Sequence, residues 1–469
     1  MAGIDLKEAT IAGVSELIKA KKVSPVEVTE ATLRRIEKLN PILKCFTTVT
    51  GEYAMSKAKE AEKEVMAGRY KGPLHGIPYT LKDLIDTKGI RTTYGYSSHQ
   101  DYVPNRSARV HELMEEAGGI LVGKVDCHFR RDVAVQCYNP WDLERSPGHS
   151  SSGSGSAVGA SLGLTSIGSD TGGSVRIPAA WSGVVGMKTT FGLMTRHNLF
   201  GPSWSFDQAG PLAKTVEDTA IVLQAIAGYD HEDPVSIAGE RPDYRKGLKG
   251  GIKGLRVGVL EEYVGSHSTE EVEASVREAV RVLERLGATS RAVEIAEVGE
   301  FPNVHNTIVD LESAVYYYQQ FPPERMEQIN PDMKGRLKRG FEITMSQYIK
   351  AQEKLAFLRR EVERVFREVD VVVSPTCLTP PLKVGQTRSK ITVRGKEVDA
   401  RTLTLRNTSI SSDCHLPAIS VPCGFAEGPR GPLPIGLHII GRRLEDALVL
   451  RAAYAYEQAT EWHKRRAPL

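Results

Sequence analysis

Serine and glycine are concentrated in residues 146–180, which read SPGHSSSGSGSAVGASLGLTSIGSDTGGSVRIPAA. They form two clusters, one around Ser150 and one around Ser174, with a mostly small and apolar segment between them. Such composition often indicates a flexible linker, but a linker has no use for the Val, Leu and Ile residues found here. We therefore expect a packed segment. Its serine hydroxyls become good nucleophiles only when a base takes their proton.

Histidine is the usual base for a serine, and one serine fits the pattern that accompanies it. The sequence GASLG at residues 159–163 matches G-x-S-x-G, the nucleophile elbow, with Ser161 as the nucleophile. That elbow requires a strand directly before the serine, and GHSSSGSGSAV is a poor strand sequence. The pattern therefore favours Ser161 as a small residue inside a packed helix.

A second stretch, GIPYTLKDLIDTKGIRTTYG at residues 76–95, places a lysine among apolar residues. Together with residues 146–180 it resembles the amidase signature family of hydrolases. The similarity extends from SPVEVTEATLRRIEKLNP at residues 24–41 to LRAAYAYEQATEWHKRR at residues 450–466. The resemblance implies one α/β domain, residues 1–469, with a central mixed β-sheet covered by helices.

The resemblance also implies a Ser-Ser-Lys triad, in which Lys82 is the base, Ser150 relays the proton and Ser174 is the nucleophile. A lysine acts as a base only when it is deprotonated near neutral pH, and burial disfavours its charged form. Lowering its pKa from about 10.4 to about 7 requires roughly 4 to 5 kcal/mol of differential destabilisation. Apolar residues near Lys82, among them Ile77 and Leu81, are expected to provide that burial.

The sequence departs from the family around the relay serine. The family reads Gly-Gly-Ser-Ser-Gly-Gly-Ser, whereas residues 148–154 read GHSSSGS, so that His149 and Ser152 replace glycines. In the family the relay serine has a cis peptide bond, which costs about 3 to 4 kcal/mol for a residue other than proline. Ser151 is the alternative relay and is otherwise predicted to bind substrate. His149 is either a titrating neighbour or a bulky filler, and the second interpretation is favoured.

The residues before Ser174 are implied to form an oxyanion hole with its own N–H group. Glycines allow the dihedral angles that aim consecutive backbone N–H groups at one point. Each such donor is often worth about 10² to 10³ in rate. The residues predicted to bind substrate in this way are Thr171, Gly172 and Gly173. Asp170 and Arg176 flank the turn and are predicted to brace it as a charge pair.

Two further departures concern the substrate. Residues 125–138, VDCHFRRDVAVQCY, are several residues shorter than the family's loop, and Phe129, Arg130 and Arg131 are expected to border the acyl pocket. The family's Asn-Leu-x-Gly-x-Pro element reads SDCHLP at residues 412–417. Just upstream, Leu405 or another non-acidic neighbour stands where the glutamine-hydrolysing tRNA amidotransferase subunit has the aspartate that holds the α-amino group of glutamine. This replacement argues against that activity.

Composition excludes several other classes. With 61 basic and 58 acidic residues the net charge is +3, which implies neither a nucleic-acid nor a membrane partner. The start, MAGIDLKEATIAG, does not resemble a signal peptide. Six cysteines do not form a disulfide framework in a chain of this length. Cys127, His128 and Cys137 lack a C-x-x-C pair and are weak evidence for a metal. We expect a cytoplasmic protein with no metal or cofactor.

The elements that must position the triad can be predicted from periodicity. Residues 1–70 read as helices, one of them capped by Ser24 and Pro25 and another at about residues 54–67. Strand-like residues around Lys82 follow. Helices and strands then alternate, with strands at ILVGKV, LRVGVL, ATSRAVEI and DVVVSPT and a helix over residues 270–286. This alternation indicates a largely covered mixed sheet.

The function predicted from the sequence is hydrolysis of a small linear carboxylic amide, at a bond other than a peptide bond, through an acyl-enzyme on Ser174. Three alternatives remain open. They are a carbamate or ester hydrolase with the same triad, an amidotransferase subunit that needs a partner, and a scaffold without catalysis. The sequence does not identify the acyl or amine group, and it is compatible with a homodimer.

Overall fold

A large mixed β-sheet runs through the computed structural model, which describes residues 4–127, 137–320, 331–386 and 389–469. Within these residues the sheet has 11 strands in the order β1-β3-β2-β4-β6-β5-β12-β13-β9-β7-β8, and β10 and β11 pair separately. The strands are β1 (Phe46–Val49), β2 (Pro78–Lys82), β3 (Ile120–Val125), β4 (Thr165–Asp170), β5 (Val185–Lys188), β6 (Gln208–Ala213), β7 (Arg256–Leu260), β8 (Thr289–Val293), β9 (Val371–Pro375), β10 (Lys390–Val393), β11 (Lys396–Asp399), β12 (Ala418–Gly428) and β13 (Gly431–Gly441).

Helices cover the sheet and enclose a core that is mostly Val, Leu and Ile. The α-helices of the described residues are Ile11–Lys19, Pro25–Leu43, Gly51–Met66, Arg109–Glu116, Ser152–Gly159, Arg176–Ser182, Val216–Ile226, Tyr244–Gly247, Glu270–Arg285, Phe301–Gln320, Pro331–Glu342, Met345–Phe366, Ala400–Asp413 and Asp446–Gln458. The fold is therefore a single α/β domain with a large mixed sheet flanked by helices, as predicted. In the described part of the chain, no helix is long and apolar enough to cross a membrane.

Local sequence signals explain where several elements begin. Ser24 and Glu27 form a capping box, with Ser24 Oγ accepting from Glu27 N and Glu27 Oε2 accepting from Ser24 N. Pro25 then occupies the first turn of the helix, where a missing N–H group has no cost. The predicted helix at residues 270–286 is observed as Glu270–Arg285. The strands predicted around Lys82 and at ILVGKV are β2 and β3.

One difference from the sequence-based prediction lies in residues 1–70. They contain helices as predicted, but they also contribute β1, which pairs antiparallel with β3 at the edge of the sheet. The four residues of β1 are aromatic or β-branched, a composition that favours a strand. Four residues are too few to show a clear period of two, so the pattern of the flanking helices dominated the prediction.

The parallel strands β2 and β4 position the candidate site. They are neighbours in the sheet, with Leu81 paired to Ile167, so that their carboxyl ends meet at one edge. Lys82 is the last residue of β2 and Asp170 is the last residue of β4. In open α/β sheets the crevice beyond the carboxyl ends of strands is the usual place for ligands. The serine clusters lie on either side of β4 in the chain. The cluster around Ser150 precedes β4, and the cluster around Ser174 directly follows it.

Candidate active site

Lys82 is fully buried and lies between two serine hydroxyls. Its Nζ donates to Ser150 Oγ at 2.6 Å and to Ser169 Oγ at 2.8 Å. The predicted apolar neighbours Ile77 and Leu81 are both fully buried. The burial predicted for Lys82 is therefore confirmed. The sequence analysis does not predict Ser169 as a site residue. Its position one residue before Asp170, beside the nucleophile turn, is the sequence signal that could have indicated it.

The two serines considered for the relay have different surroundings. Ser150 is half-buried and its hydroxyl reaches Lys82. Ser151 is fully buried, and its Oγ donates to Ser169 O at 3.1 Å and accepts from Ser169 N at 3.3 Å. These bonds hold the Ser151 hydroxyl against β4. The geometry therefore favours Ser150 over Ser151 as the group that exchanges a proton with Lys82.

The expected cis peptide bond at Ser150 is absent. No cis bond occurs in the part of the chain that the structure describes. The trans form is the one that a residue other than proline favours by about 3 to 4 kcal/mol.

Ser152, which replaces a family glycine, begins the helix Ser152–Gly159, and its Oγ donates to Asp126 Oδ2 at 3.1 Å.

The nucleophile turn is braced by a buried ion pair. Asp170 accepts from Arg176 through both oxygens, at 2.8 Å to Nη2 and 3.0 Å to Nε. The same carboxylate accepts from Gly173 N at 2.7 Å and from Val175 N at 3.1 Å. Gly173 has φ +130°, a conformation that favours glycine. The predicted charge pair is therefore confirmed, and it fixes the backbone on both sides of Ser174.

The charge state of the brace follows from its partners. Burial alone would raise the pKa of Asp170, but the Arg176 guanidinium, its hydrogen bonds and Lys188 outweigh burial and lower it. Asp170 is therefore ionised at neutral pH. The Gly173 N–H group donates to this carboxylate and is therefore engaged in the brace.

Ser174 is buried and its hydroxyl contacts a histidine. Its Oγ lies 3.3 Å from His149 Nδ1, and His149 is half-buried. The sequence favoured His149 as a bulky filler, whereas the structure places its ring nitrogen at the candidate nucleophile. The sequence signal for this contact was the replacement of a family glycine by histidine, a residue that can carry a proton.

A small cavity of about 70 Å³ joins these groups. Its lining includes Ser150, Thr171, Gly172 and Ser174, so most of the predicted site residues surround one space. Thr171 Oγ1 donates to Asp207, and Thr408 Oγ1 donates to Gly172 O at 2.6 Å, which fixes both walls of the turn. Further lining residues come from distant helices and were not predicted as site residues, namely His305, Asn306, Val309, Ser313, Tyr317, Arg336 and Arg401.

The remaining residues considered as site candidates do not line the described part of this cavity. Ser161 lies just outside the helix Ser152–Gly159 and not inside it as predicted, because the helix ends at Gly159 and Ser161 has a left-handed conformation, with φ +58°. Its buried position agrees with a structural role. Phe129, Arg130, Arg131 and His128 lie outside the described residues, so the loop that they form stays a prediction. Within the described ranges, no group of three or more His, Cys, Asp or Glu side chains is arranged to hold a metal ion.

Comparison with known proteins identifies the family of this fold and site. A family model described as Amidase matches residues 27–450. The chain therefore belongs to the amidase signature family, which confirms the resemblance drawn from its motifs, and it is an amidase-family enzyme.

Individual relatives cover nearly the whole chain. The A subunit of glutamyl-tRNA(Gln) amidotransferase from Synechococcus sp. (strain JA-3-3Ab) is 37% identical over 98% of this chain and 94% of its own length. The crystal structure of the corresponding Thermotoga maritima protein has 31% identity and a TM-score of 0.81, with 98% of this chain and 96% of that one covered. A 6-aminohexanoate cyclic dimer hydrolase, solved with its substrate, has 26% identity and a TM-score of 0.88, with 99% of both chains covered.

Proposed function

We propose that this protein hydrolyses the C–N bond of a small linear carboxylic amide through an acyl-enzyme on Ser174. The observation that carries the proposal is the 2.6 Å contact between Lys82 Nζ and Ser150 Oγ, beside a cavity that Ser150 and Ser174 both line. A buried lysine that contacts a serine hydroxyl can accept its proton once the lysine is neutral. Membership of the amidase family supports the same reaction.

The first half-reaction forms the acyl-enzyme. Neutral Lys82 takes the proton of Ser150 as Ser150 takes the proton of Ser174, and Ser174 Oγ attacks the amide carbonyl. The resulting oxyanion accepts hydrogen bonds from backbone N–H groups of the turn, for which Thr171, Gly172 and Ser174 are the candidates. Proton return through Ser150 to the nitrogen allows the C–N bond to break, and the amine leaves. Water then attacks the ester by the same proton route and releases the acid and free Ser174.

The brace formed by Asp170 and Arg176 supports this assignment. An oxyanion hole is effective when its donors are fixed before the charge develops. The carboxylate of Asp170 binds Gly173 N and Val175 N, on either side of Ser174. The turn is therefore held in place by an ion pair that is itself fully buried.

The test is turnover by the purified chain alone. A panel of amides and esters with the same acyl group, together with carbamates of similar size, should be assayed with the parent protein and with Ser174→Ala. We expect amide hydrolysis by the parent and none by the variant. Selective hydrolysis of carbamates or esters would favour the corresponding alternative. No hydrolysis of any compound, with both proteins folded, would support a scaffold.

A second candidate is the glutaminase half of a tRNA amidotransferase, favoured by the 37% identity to one component of that enzyme. Leu405 lines the cavity where that component is expected to have an aspartate, which disfavours glutamine. Glutamine hydrolysis by the chain, dependent on Ser174 and stimulated by partner proteins, would establish this candidate.

A homodimer is a separate prediction, to be tested by light scattering.

A further inference from the structure

Two buried side chains that the proposed mechanism does not use meet at the catalytic cavity. His305 lies in the helix Phe301–Gln320 and Asp413 ends the helix Ala400–Asp413. His305 Nδ1 and Asp413 Oδ1 are 2.6 Å apart, and both side chains are almost inaccessible to solvent. The His305 ring also stacks on Phe206, with centroids 5.3 Å apart. The imidazole is therefore held in one orientation by a hydrogen bond and a ring contact.

The other ring nitrogen of His305 faces the nucleophile turn. A methyl group built on Gly172 would lie 2.5 Å from His305 Nε2. His305 and Gly172 both line the cavity that contains Ser174. Glycine at this position thus leaves room for Nε2 beside the nucleophile turn.

The pairing determines what Nε2 offers to a substrate. Burial raises the pKa of Asp413, which opposes an isolated charge, and His305 partly offsets this effect. A protonated Asp413 carboxyl group donates to Nδ1, and the proton of the imidazole is then on Nε2. Nε2 is then a hydrogen-bond donor that faces the cavity.

The charged side chains that line the described part of the cavity are basic. Among the residues that the structure describes, its lining includes Arg336 and Arg401 but no aspartate or glutamate. Arg336 is held by Asp310, with Nε and Oδ1 2.7 Å apart. A guanidinium and an imidazole N–H group suit the planar, acceptor-only carboxylate group.

The cavity is also small. A volume of about 70 Å³ accommodates roughly five to seven water-sized groups, at about 10 to 15 Å³ for each. A short acyl chain with one terminal carboxylate fills such a space, whereas an aryl or fatty acyl group would require it to open.

We propose that His305, oriented by Asp413, is a specificity-determining residue that donates its Nε2–H to a carboxylate on the acyl part of the substrate. The substrate class is the monoamide of a short dicarboxylic acid. This inference rests on the amide hydrolysis proposed above and specifies the substrate of that same site.

The kinetic test compares substrates that differ in charge alone. Succinamate carries the carboxylate, while succinamide and butyramide are neutral and have similar size. Ammonia release by the full chain should show a kcat/KM for succinamate at least about 10-fold above those of the neutral amides. His305→Phe keeps an aromatic ring for the stacking on Phe206 but removes both the Nε2 donor and the bond to Asp413, so its melting temperature is measured as well. This variant should raise the KM for succinamate by about 10- to 100-fold, the range expected for a hydrogen bond to a charged group, and lower the preference for succinamate over the neutral amides by the same factor.

Two further variants separate recognition from folding. His305→Gln retains an N–H donor near the same point and should recover part of the preference for succinamate. His111→Phe replaces another buried histidine, which does not line the cavity and whose Nδ1 is hydrogen-bonded to Tyr79 Oη at 2.7 Å. This variant should leave the preference for succinamate unchanged. A parent without preference for succinamate, or equal losses for charged and neutral amides in His305→Phe, would overturn the proposal.

A binding measurement distinguishes failure of this proposal from failure of the proposed function. Titration calorimetry of succinamate into Ser174→Ala does not depend on turnover. Binding that is lost in Ser174→Ala/His305→Phe, in a protein that hydrolyses no amide, would support the carboxylate site and reject the amidase reaction. Turnover of neutral amides without binding of succinamate would reject the carboxylate site and retain the amidase reaction.

Discussion

Arg176 and Asp170 form a two-point ion pair directly beneath the nucleophile turn, and neither side chain is accessible to solvent. Arg176 also donates to Thr408 O at 3.0 Å and to Ser412 Oγ at 2.8 Å, which ties the turn to the helix Ala400–Asp413. That helix carries Leu405 and Arg401 into the cavity. The ion pair thus connects the backbone around Ser174 with the wall that faces the substrate.

Replacing Asp170 should therefore affect both stability and activity. Asp170→Asn leaves a buried arginine without its counter-charge, which typically destabilises a protein by about 3 to 5 kcal/mol. The surviving folded protein should also lose acylation rate, because the turn is no longer fixed. Urea unfolding and single-turnover kinetics measure the two effects. Glu278→Gln, which breaks an exposed pair with Arg281, is the control and should cost no more than about 1 kcal/mol. Equal losses of stability and of acylation rate in the two variants would show that the buried pair has no special role.

A buried carboxyl group far from the cavity should make stability depend on pH. Burial, with a smaller contribution from Asp218, raises the pKa of Glu457 to about 8. Its Oε2 accepts from Val216 N at 2.8 Å. Between the unfolded value near 4.3 and about 8, the folded state binds more protons than the unfolded state. The free energy of unfolding should therefore fall as the pH rises through this window, and the stabilisation should be fully present only below it.

Glu457→Gln tests that pH dependence, since glutamine can accept the same N–H group without a charge. Urea unfolding from about pH 5 to about pH 9 should show a steeper decline in the parent than in the variant, by a few kcal/mol in total. Asp218, whose pKa burial raises to about 6, adds a decline at lower pH in both proteins. Parallel curves would mean that Glu457 does not titrate in this range.

Ser174→Ala should abolish turnover without loss of the fold. Ser174 is buried and small, so that alanine fills nearly the same volume. The melting temperature should stay within a few degrees of the parent value, while acyl-enzyme formation, followed by mass spectrometry, should disappear. Residual activity above a few per cent would move the nucleophile elsewhere, and Ser161 would then be replaced in the same way.

The sequence predicted the parts of the site that are local in the chain. Lys82 ends a strand, Ser150 and Ser174 lie in Gly/Ser-rich turns, and the motifs around them are long enough to identify each residue. The pair of His305 and Asp413 could not be predicted, because its members are 108 residues apart and lie in two different helices. The contact between His149 and Ser174 could not be predicted for a related reason. A glycine replaced by histidine indicates added bulk, whereas the direction of the ring depends on the tertiary fold.

The last prediction separates a lysine base from a histidine base. Lys82→Arg keeps a positive charge, but guanidinium stays protonated at all accessible pH values and cannot accept a proton. Lys82→Ala removes the base and leaves no buried charge. Both variants should lose orders of magnitude in the acylation rate, and their melting temperatures control for folding. In the parent, the rate should rise from neutral to alkaline pH as neutral lysine accumulates.

His149 is the competitor that the structure raises, since its Nδ1 lies 3.3 Å from Ser174 Oγ. His149→Asn retains a polar atom near Nδ1 but cannot titrate near neutral pH. If Lys82 is the base, this variant should keep the alkaline limb and lose at most about 10-fold in rate, as expected for one hydrogen bond near the nucleophile. Stopped-flow acylation rates across pH measure both quantities. A His149→Asn protein that is folded but lacks the limb, together with a Lys82→Arg protein of near-parental rate, would assign the base to His149 and reject the Ser-Ser-Lys mechanism.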